Sequence, residues 1–480
     1  MISEPKRLHP MAAVSNFTQQ LKGFILPLVF ALFINGGNEN SFWDFIPLIF
    51  IGAILFALLI AGVLKWFRFT YRIEEGELRI ESGLFVKKKR YIPFERIQSL
   101  NFSEGILQRP LGLVKVKVET AGGSDLEAEA VLSAISTKDA EELQLIIRDA
   151  KRGKNIDVDD ASIQSFVYKM TFRDLFLMAL TSSGGLFVLG IFSGIFTQFT
   201  EFIPYEAIYE QVEGIVRSGV VFILFVVIFV LLVTWSLSVI GTFLVYGHFT
   251  VVKSGDEILI SRGILEKKTL TIPLNRIQGI QVIENPIRQW LGFAALHLHS
   301  AGGSALDQES INIKLFPFIR KNKIAGLLKE LIPSYKLDAS LHRAPKRSIR
   351  RYMVRESFIV VIPVLVLSIV FFPLGFFSFV LFLLSAIWGY LKYRSAGWHI
   401  DNNQFTLQYR KMSKHTMIVL KNRIQSFDQT QSWFQRRNHL VSFALTIKSG
   451  AGPKVGKAFY MNEQDGEMIK KWVKPEREYN

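Results

Sequence analysis

The feature that most constrains the fold of this chain is an internal repeat. The tripeptide Arg-Ile-Gln occurs at Arg96-Ile97-Gln98, Arg276-Ile277-Gln278 and Arg423-Ile424-Gln425, and the first two copies lie 180 residues apart inside long matching frames. Self-similarity at a fixed spacing is typical of a duplicated structural unit. The shared frame runs from a glycine through basic residues, Ile-Pro, the tripeptide and Leu-Gly to Ala-Gly-Gly-Ser, beginning at Gly83 in the first copy and at Gly263 in the second. We therefore expect three repeats of one domain.

Long apolar segments precede each repeat. A helix needs ~20 apolar residues to cross ~30 Å of hydrocarbon, and six segments are predicted to be spans: residues 23–35, 45–64, 175–197, 219–246, 358–372 and 374–391. The first is the shortest and could be a signal-peptide core, but no small-x-small cleavage site follows it, which favours an uncleaved span. Six spans form three helical hairpins, so all three repeats are expected on one side of the membrane.

The distribution of Lys and Arg predicts which side that is. The loop at 199–218 carries four glutamates against the single Arg217, whereas the opposite flanks are rich in cations, such as Lys65, Arg68 and Arg72 after the second span. We therefore expect a multi-pass protein of the cell membrane with its N-terminus and its repeats in the cytoplasm. None of the predicted spans contains Asp, Glu, Lys, Arg or His, which argues against an ion or proton pathway because such pathways normally need charged groups inside the bilayer.

Alternating side chains predict β-strands between the hairpins. In 113–119, Val114, Val116 and Val118 share one face and charged residues share the other, which is the period of a half-buried strand. Each copy ends in a short amphipathic helix, predicted at about 136–147, 317–331 and 463–473. Several strands followed by one terminal helix in ~85 residues predict a small barrel or split barrel capped by a helix.

Together with Arg7-Leu8-His9-Pro10 ahead of the first span, the repeated frame resembles the bacterial pleckstrin-homology-like (PH-like) domain family, in its membrane-associated class with three domains and six spans. The resemblance covers nearly all of the chain and implies a seven-stranded split barrel with a C-terminal helix in each repeat. The expected fold is a membrane α plus β protein, with three transmembrane helical hairpins that are each followed by a small PH-like split β-barrel with a C-terminal helix. The expected segments are the N-terminal segment and hairpin one at 1–66, domain one at 67–150, a linker and hairpin two at 151–246, domain two at 247–333, a linker and hairpin three at 334–392, and a divergent domain three at 393–480.

The third copy departs from the frame. It carries other residues where the second copy has a turn-forming glycine or proline: Arg410 for Gly263, Leu420 for Pro273 and His439 for Gly292. Glycine allows backbone conformations that other residues avoid, and proline fixes one. The turn geometry of the third domain is therefore expected to differ, and a binding role in one copy should not be assumed for the third.

Clusters of Lys and Arg are the first candidate binding residues, and they are expected on the same strand of each domain: Lys87, Lys88, Lys89, Arg90, Lys267, Lys268, Arg410 and Lys411. A run of charges is often only a solvated face. Beside an anionic cytoplasmic leaflet, however, each basic residue is worth ~1 kcal/mol of attraction. Docking of the domains onto the membrane, or binding of lipid headgroups, is therefore the functional alternative.

The arginines of the repeated tripeptide, Arg96, Arg276 and Arg423, are the second group of candidates. A structural role is favoured, in which each guanidinium group donates to strand-end carbonyl groups or pairs with a nearby acid such as Glu95. The functional alternative is bidentate recognition of a phosphate or carboxylate.

Other motifs are weaker. His297 and His299 share one face of a strand, a geometry that can bind metal, but they fall on the solvent-facing side of the alternation and no third ligand is apparent. The glycine-rich segment 450–457 misses the spacing of a phosphate loop and aligns with the Ala-Gly-Gly-Ser turns. No catalytic motif is recognisable, and the lack of cysteine excludes disulfides and thiol nucleophiles.

The net charge of +16 is compatible with nucleic acid, anionic lipid or an acidic partner. The basic residues lack the interleaved aromatic residues of a base-stacking surface, so the membrane accounts for them more simply. We expect a non-enzymatic scaffold or binding module, without a cofactor, for anionic phospholipid, a membrane protein partner or further copies of itself, in envelope maintenance or defence. The alternative is a membrane transporter or export component for a lipidic or apolar solute. An enzyme acting on lipid is a third, less favoured hypothesis.

Overall fold

The computed structural model describes residues 4–18, 21, 46–83, 86–120, 130–152, 164–181, 219–301, 313–337, 340–450 and 452–474. Repeat one contains β1 (Lys6–Arg7), β2 (Thr70–Glu74), β3 (Glu77–Ser82), β4 (Lys88–Pro93), β5 (Ile97–Glu104), β6 (Leu113–Thr120) and β7 (Ala130–Ser136). Repeat two contains β8 (Gln164–Lys169), β9 (Thr250–Ser254), β10 (Glu257–Arg262), β11 (Lys267–Pro273), β12 (Ile277–Glu284), β13 (Phe293–Ser300) and β14 (Ile313–Arg320). Repeat three contains β15 (His342–Arg343), β16 (Gly397–Asp401), β17 (Gln404–Arg410), β18 (Lys414–Leu420), β19 (Ile424–Thr430), β20 (Leu440–Ile447) and β21 (Lys454–Asn462).

The longer helices lie before, between and after these strands. They are α1 (Ile46–Phe67), α2 (Thr137–Arg152), α3 (Phe172–Leu180), α4 (Gly219–Tyr246), α5 (Lys321–Leu331), α6 (Ile349–Ile359), α7 (Val361–Val370), α8 (Val380–Ser395) and α9 (Glu463–Val473). The terminal helices α2, α5 and α9 follow the last strand of each repeat, as predicted. The predicted start of α5 at 317 is wrong, because residues 317–320 continue β14 and the helix begins at Lys321.

The membrane hairpins are inserted after the first strand of each repeat, which corrects the predicted boundaries. β1, β8 and β15 come before their hairpins in the chain and pair with β2, β9 and β16 after them. The Arg7-Leu8-His9-Pro10 motif begins at the last residue of β1. Leu8, just after the strand, is buried in the core of repeat one, and its carbonyl accepts a hydrogen bond of 2.8 Å from Nε1 of Trp66. Residues 164–169, predicted as linker, are likewise a strand of repeat two.

Each repeat has seven strands in two halves that enclose its core, with four strands in the first half and three in the second. The predicted alternation is confirmed in both tested strands. Val114, Val116 and Val118 are buried in β6, and the alternate positions of β20 from Val441 to Ile447 are buried in repeat three. The two halves of one repeat lie in separate sheets, and no sheet among the described residues closes into a barrel.

Neighbouring repeats share continuous sheets. One seven-stranded sheet has the order β7-β6-β5-β11-β10-β9-β8, and another has the order β14-β13-β12-β18-β17-β16-β15. We call the β5–β11 contact joint one and the β12–β18 contact joint two. Ile418 of β18 belongs to the apolar core of repeat two. A repeat cut out as 247–333 would therefore lack both β8 and this side chain, so experiments require the full chain.

Apolar helices support a membrane location. Three helical stretches are long and apolar enough to cross a bilayer, namely Ile49–Phe67, Ile228–Tyr246 and Leu374–Ser395, and α6 with α7 forms a further candidate bent by 41°. The prediction for 219–246 matches α4. The predicted span 23–35 and most of 175–197 lie outside the described residues, so the described part contains three or four of the six predicted spans.

The turns of repeat three were predicted to differ in geometry from those of repeat two. They differ at Arg410, but the backbone at His439 keeps the same conformation. Gly263 has a φ of 106° and its turn leaves no room for a Cβ atom, which would lie 2.0 Å from the carbonyl oxygen of Glu266. The equivalent Arg410 instead extends β17 by one residue, so the geometry differs there as expected. At His439 the expectation is wrong, because this residue keeps a left-handed φ of 48° where Gly292 has 76°. Histidine is among the residues that tolerate this conformation best.

Candidate functional site

A cavity of about 600 Å³ lies at joint one, between repeats one and two. Its walls come from β5 and β6 of repeat one, from β10, β11 and β14 of repeat two, and from the helical residues 11–18 ahead of the first hairpin. The strands position its side chains by alternation. The valines of β6 point into the core of repeat one, and the intervening lysines therefore point out of that core, toward repeat two.

The cavity is lined by more cations than anions. The cationic side chains on its walls are Lys115, Lys117, Arg262, Lys268 and Lys314. Of the described residues that line it, Glu266 is the only acid, and its carboxylate already lies 3.6 Å from Nζ of Lys268. The described walls of the cavity therefore carry an excess of positive charge. Since several of these side chains are only partly exposed, a ligand there would be screened less by salt than one on the open surface.

The cationic side of the cavity adjoins the end of a membrane helix. Tyr246 is the last residue of α4, and its ring lies 5.2 Å from the Arg262 guanidinium carbon and 5.0 Å from Nζ of Lys314. Lys314 also donates a hydrogen bond to the Tyr246 hydroxyl. Tyrosine is enriched where membrane helices meet the headgroup layer. This contact therefore joins Arg262 and Lys314 to the end of a helix that is apolar enough to span a membrane.

Apolar residues line another part of the cavity. Met11 and Val14 come from the helical residues 11–18, and Ile106 and Leu107 come from the turn after β5. Ile106 and Leu107 are well exposed, and the deeper wall contributes Ile260 of β10. Cations beside exposed apolar groups suit a ligand that is itself amphipathic, with an anionic head and an apolar body.

The two lysines of the basic cluster in repeat two, Lys267 and Lys268, have different surroundings at joint one. Lys267 pairs with Glu104 of β5 at 3.2 Å, and Lys268 lies opposite Ser103 in the ladder and lines the cavity. Lys267 is thus a contact between repeats. Lys268 is the one residue among the eight predicted cluster cations that the structure places on the cavity wall.

The other basic clusters lie away from the cavity. In repeat one, Glu81 of β3 pairs with Lys87 at 2.5 Å and with Lys89 at 3.7 Å, while Lys88 and Arg90 lie on β4, the edge strand of its sheet. A lipid-binding role for this edge stays a prediction.

The predicted alignment of Arg410 and Lys411 with these strands is wrong. Arg410 ends β17 and Lys411 lies in the turn that follows, because repeat three has no glycine to end the strand one residue earlier. Arg410 is nearly buried, donates to Oγ of Ser395 at 3.0 Å and also donates to Gln289 of repeat two. Burial lowers the pKa of Arg410. The strand equivalent to β4 and β11 starts at Lys414 instead.

The arginines of the tripeptide reach the preceding repeat. Arg276 lies 3.9 Å from the carboxylate of Glu119 in β6, and Nη2 of Arg423 donates to the carbonyl of Asn275 at 2.7 Å. Burial lowers the pKa of Arg276. These contacts have the form of the structural role that the sequence favoured, an acid for one arginine and a strand-end carbonyl for the other, but the acid is not Glu95. A ligand-binding role stays a prediction, also for Arg96.

The expectation that His297 and His299 face solvent is wrong, because repeat three covers that face of β13. His299 is fully buried and Nε2 of its ring lies 3.1 Å from Oε1 of Gln281. The Gln281 amide nitrogen in turn lies 3.1 Å from the Tyr409 hydroxyl and 3.2 Å from Nδ1 of His415. Burial lowers the pKa of His297 and of His299 to about 3, and that of His415 to about 4. Within the described ranges no group of three or more His, Asp or Glu residues is arranged to hold a metal ion.

Four of the five cavity cations were not predicted from the sequence. Lys115 and Lys117 were recognised only as the solvated face of a strand, and Arg262 and Lys314 belong to no cluster. One sequence feature does indicate these cations, since Lys115 and Lys117 share one face of one strand. Recognising the site required knowing that a second repeat covers this face.

The fold and its three repeats are those of a known protein family. The chain belongs to the bacterial PH domain family, whose family model matches residues 22–151, 193–332 and 357–477. It is 35% identical to the UPF0699 transmembrane protein YdbT of Bacillus subtilis (strain 168), over 496 aligned residues that cover 99% of each chain. The chain is thus a membrane protein with three bacterial PH domain repeats, as the sequence resemblance indicated.

Proposed function

We propose that this protein is a non-enzymatic, membrane-anchored binding module that holds the headgroup of an anionic phospholipid in the cavity at joint one. Its repeats would lie on the cytoplasmic face, where anionic lipid is available. The observation that carries the proposal is the set of five cations around one cavity whose rim contacts Tyr246 at the end of α4. The position at the membrane surface favours a lipid over a soluble anion.

The character of the cavity favours binding over chemistry. Cations hold an anionic group by charge, and the nearby apolar residues accept the glycerol and upper acyl region. The one acid on the described walls, Glu266, lies 3.6 Å from Nζ of Lys268 and is engaged in that ion pair. The module would therefore recognise a lipid and convey its presence through the shared sheet of repeats one and two.

Lipid binding is tested with the full chain in a non-ionic detergent, by native mass spectrometry with phosphatidylglycerol or phosphatidylcholine. Lys115→Gln with Lys117→Gln removes two cavity cations while keeping the length of both side chains similar. At ~1 kcal/mol for each cation, the affinity for phosphatidylglycerol should fall roughly 30-fold. The matched control is Lys470→Gln with Lys471→Gln on the exposed face of α9, which removes the same charge and should leave the affinity unchanged.

The two variants together decide the outcome. Equal losses in both would mean that general charge attracts the lipid and that the cavity is not a site. Equal binding of phosphatidylcholine and phosphatidylglycerol by the unmodified chain would reject the anionic headgroup. Competition by millimolar inorganic phosphate without any lipid preference would assign the cavity to a soluble anion.

The cytoplasmic orientation is tested by labelling substituted cysteines in whole cells, since the native chain contains none. Glu75, Asp256 and Glu467 are exposed positions in repeats one, two and three. Each, changed to Cys, should stay unlabelled by a membrane-impermeant thiol reagent until the cells are lysed, whereas Glu206→Cys in the acidic loop should react in intact cells. Labelling of any of the three repeat positions in intact cells would reverse the proposed orientation.

A further inference from the structure

Both joints are built by one rule, in which the fourth strand of a repeat pairs with the fifth strand of the repeat before it. β11 pairs with β5 in joint one, and β18 pairs with β12 in joint two. β4 of repeat one and β19 of repeat three are the fourth and fifth strands that neither joint uses. In the part of the chain that the structure describes, β4 and β19 are indeed the outermost strands of their sheets.

The two joints also share one register. Lys267 lies opposite Glu104 in joint one, and the equivalent Lys414 lies opposite the equivalent Glu284 in joint two. Each pair is also an ion pair, with an N–O distance of 3.2 Å in both. The register and its Lys–Glu pair are thus common to both joints.

The same register, applied to β4 and β19, places Tyr91 opposite Phe427 and Arg90 opposite Asp428. The position of Tyr91 is occupied by Thr271 in joint one and by Ile418 in joint two, which are 6% and 0% exposed, whereas Tyr91 is 53% exposed. Phe427 is only half-buried, although both of its equivalents in β5 and β12 are buried. Tyr91, whose ring lies 5.3 Å from the Arg79 guanidinium carbon, and Phe427, which packs on the core of repeat three, are thus both more exposed than the residues at the same positions of the internal joints.

The charges of β4 and β19 favour pairing between these two strands over pairing between two copies of β4. β4 carries Lys88, Lys89 and Arg90, while β19 carries Asp428 and neither Lys nor Arg. Like charges directly opposite each other destabilise an antiparallel pair, and opposite charges stabilise it. Two copies of β4 would therefore repel each other, whereas β4 and β19 attract.

We propose that β4 of one copy of this chain pairs with β19 of a second copy in the same membrane, which continues the register of the internal joints. The contact is heterologous, so successive copies form a closed ring if the rotation between them closes and an open chain if it does not. The membrane helices hold all copies in the plane of the membrane, so β4 of one copy and β19 of the next lie at similar distances from the membrane. The contact places the cations of β4 beside Asp428, the one acid of β19.

The test uses two differently tagged full-length chains expressed together, one with Lys89→Cys and the other with Gln429→Cys. The register places these two exposed residues directly opposite each other. Opposite Cα atoms in an antiparallel pair lie about 4.5–5.5 Å apart, within the ~4.4–6.8 Å range of a disulfide. Mild oxidation of the membranes should yield a disulfide-linked pair that carries both tags, because the chain has no other cysteine.

Three controls make the result decisive. Lys89→Cys combined with Lys470→Cys on α9 should give at least several-fold less product. Asp428→Lys should lower the yield of the Lys89→Cys and Gln429→Cys pair several-fold, and adding Arg90→Asp to the first chain should restore it. Each variant should keep the melting temperature of the native chain, since all these positions are exposed. No product, equal product in the Lys470→Cys control, or product only between two Lys89→Cys chains would overturn the proposal.

Discussion

Joint one and joint two use the same strands and the same register, yet they differ in what they enclose. Joint two has five paired positions and holds a hydrogen-bonded set of the buried His299, Gln281 and Tyr409 and the half-buried His415. Joint one has only three paired positions and leaves a cavity of about 600 Å³ with five cations on its walls. The same backbone contact therefore encloses packed side chains in joint two and leaves a cavity in joint one.

The difference originates in the residues that face the joint. At one equivalent position joint one has Thr271 and joint two has Ile418, and on the fifth strand joint one has Asn101 where joint two has Gln281. Ile418 reaches the core of repeat two, whereas the Thr271 hydroxyl is buried without a hydrogen-bond partner among the described residues. Burial of apolar area stabilises a contact, and an unsatisfied polar group weakens it. On the apolar contact of Ile418 alone, joint one is expected to be the weaker of the two, since in the part of the chain that the structure describes each joint also buries one unsatisfied polar atom, Thr271 Oγ1 in joint one and His299 Nδ1 in joint two.

The largest expected effect is that of Ile418→Ala on joint two. The side chain is 0% exposed and packs into the core of repeat two, so its truncation should cost ~2–5 kcal/mol. Native-state hydrogen exchange of the full chain should show faster exchange in β12 and β18. Thr271→Ala is the matched change in joint one and should cost less than about 1 kcal/mol, since it removes a hydroxyl that has no described partner. Equal costs would remove the distinction between the joints.

Acid should weaken joint two more than joint one. The pKa of His297 and of His299 is about 3 in the folded chain, below the ordinary value of 6.5, so the unfolded state binds more protons between these values. The stability contributed by the neutral imidazoles is fully present above about pH 6.5 and is lost as the pH falls toward 3. The melting temperature of the native chain should therefore fall over this window, and His297→Gln with His299→Gln should flatten the dependence. Parallel pH profiles would assign the acid sensitivity to other groups.

The sequence predicted the repeats, the alternation within their strands and the terminal helices because these depend on local periodicity. Val114 to Val118 and residues 463–473 are examples, since alternation and helical spacing are visible within one segment. The joints were not predictable in this way. Whether Lys117 or His299 faces water depends on a domain more than a hundred residues away. The first strands β1 and β15 were missed because two residues are too short to show a period.

A smaller effect is expected from Arg276→Ala. The ion pair with Glu119 spans 3.9 Å, and that carboxylate also accepts hydrogen bonds from Ser99 at 2.8 Å and Asn101 at 2.9 Å. The glutamate therefore keeps polar partners, and the loss should be about 1 kcal/mol of joint stability with unchanged preference for anionic lipid. Thermal unfolding and native mass spectrometry of the same sample measure both quantities. Lost lipid preference at an unchanged melting temperature would instead identify Arg276 as a ligand-binding residue.

The most direct test of an open joint one beside a closed joint two is hydrogen–deuterium exchange of the full chain in nanodiscs. Nanodiscs of phosphatidylcholine are compared with nanodiscs that also contain phosphatidylglycerol. The anionic lipid should slow exchange in β6, β10 and β11 around the cavity, and it should leave β12, β13 and β18 unchanged. Equal slowing at both joints, or slowing confined to β4, would contradict the assignment of the lipid site to joint one.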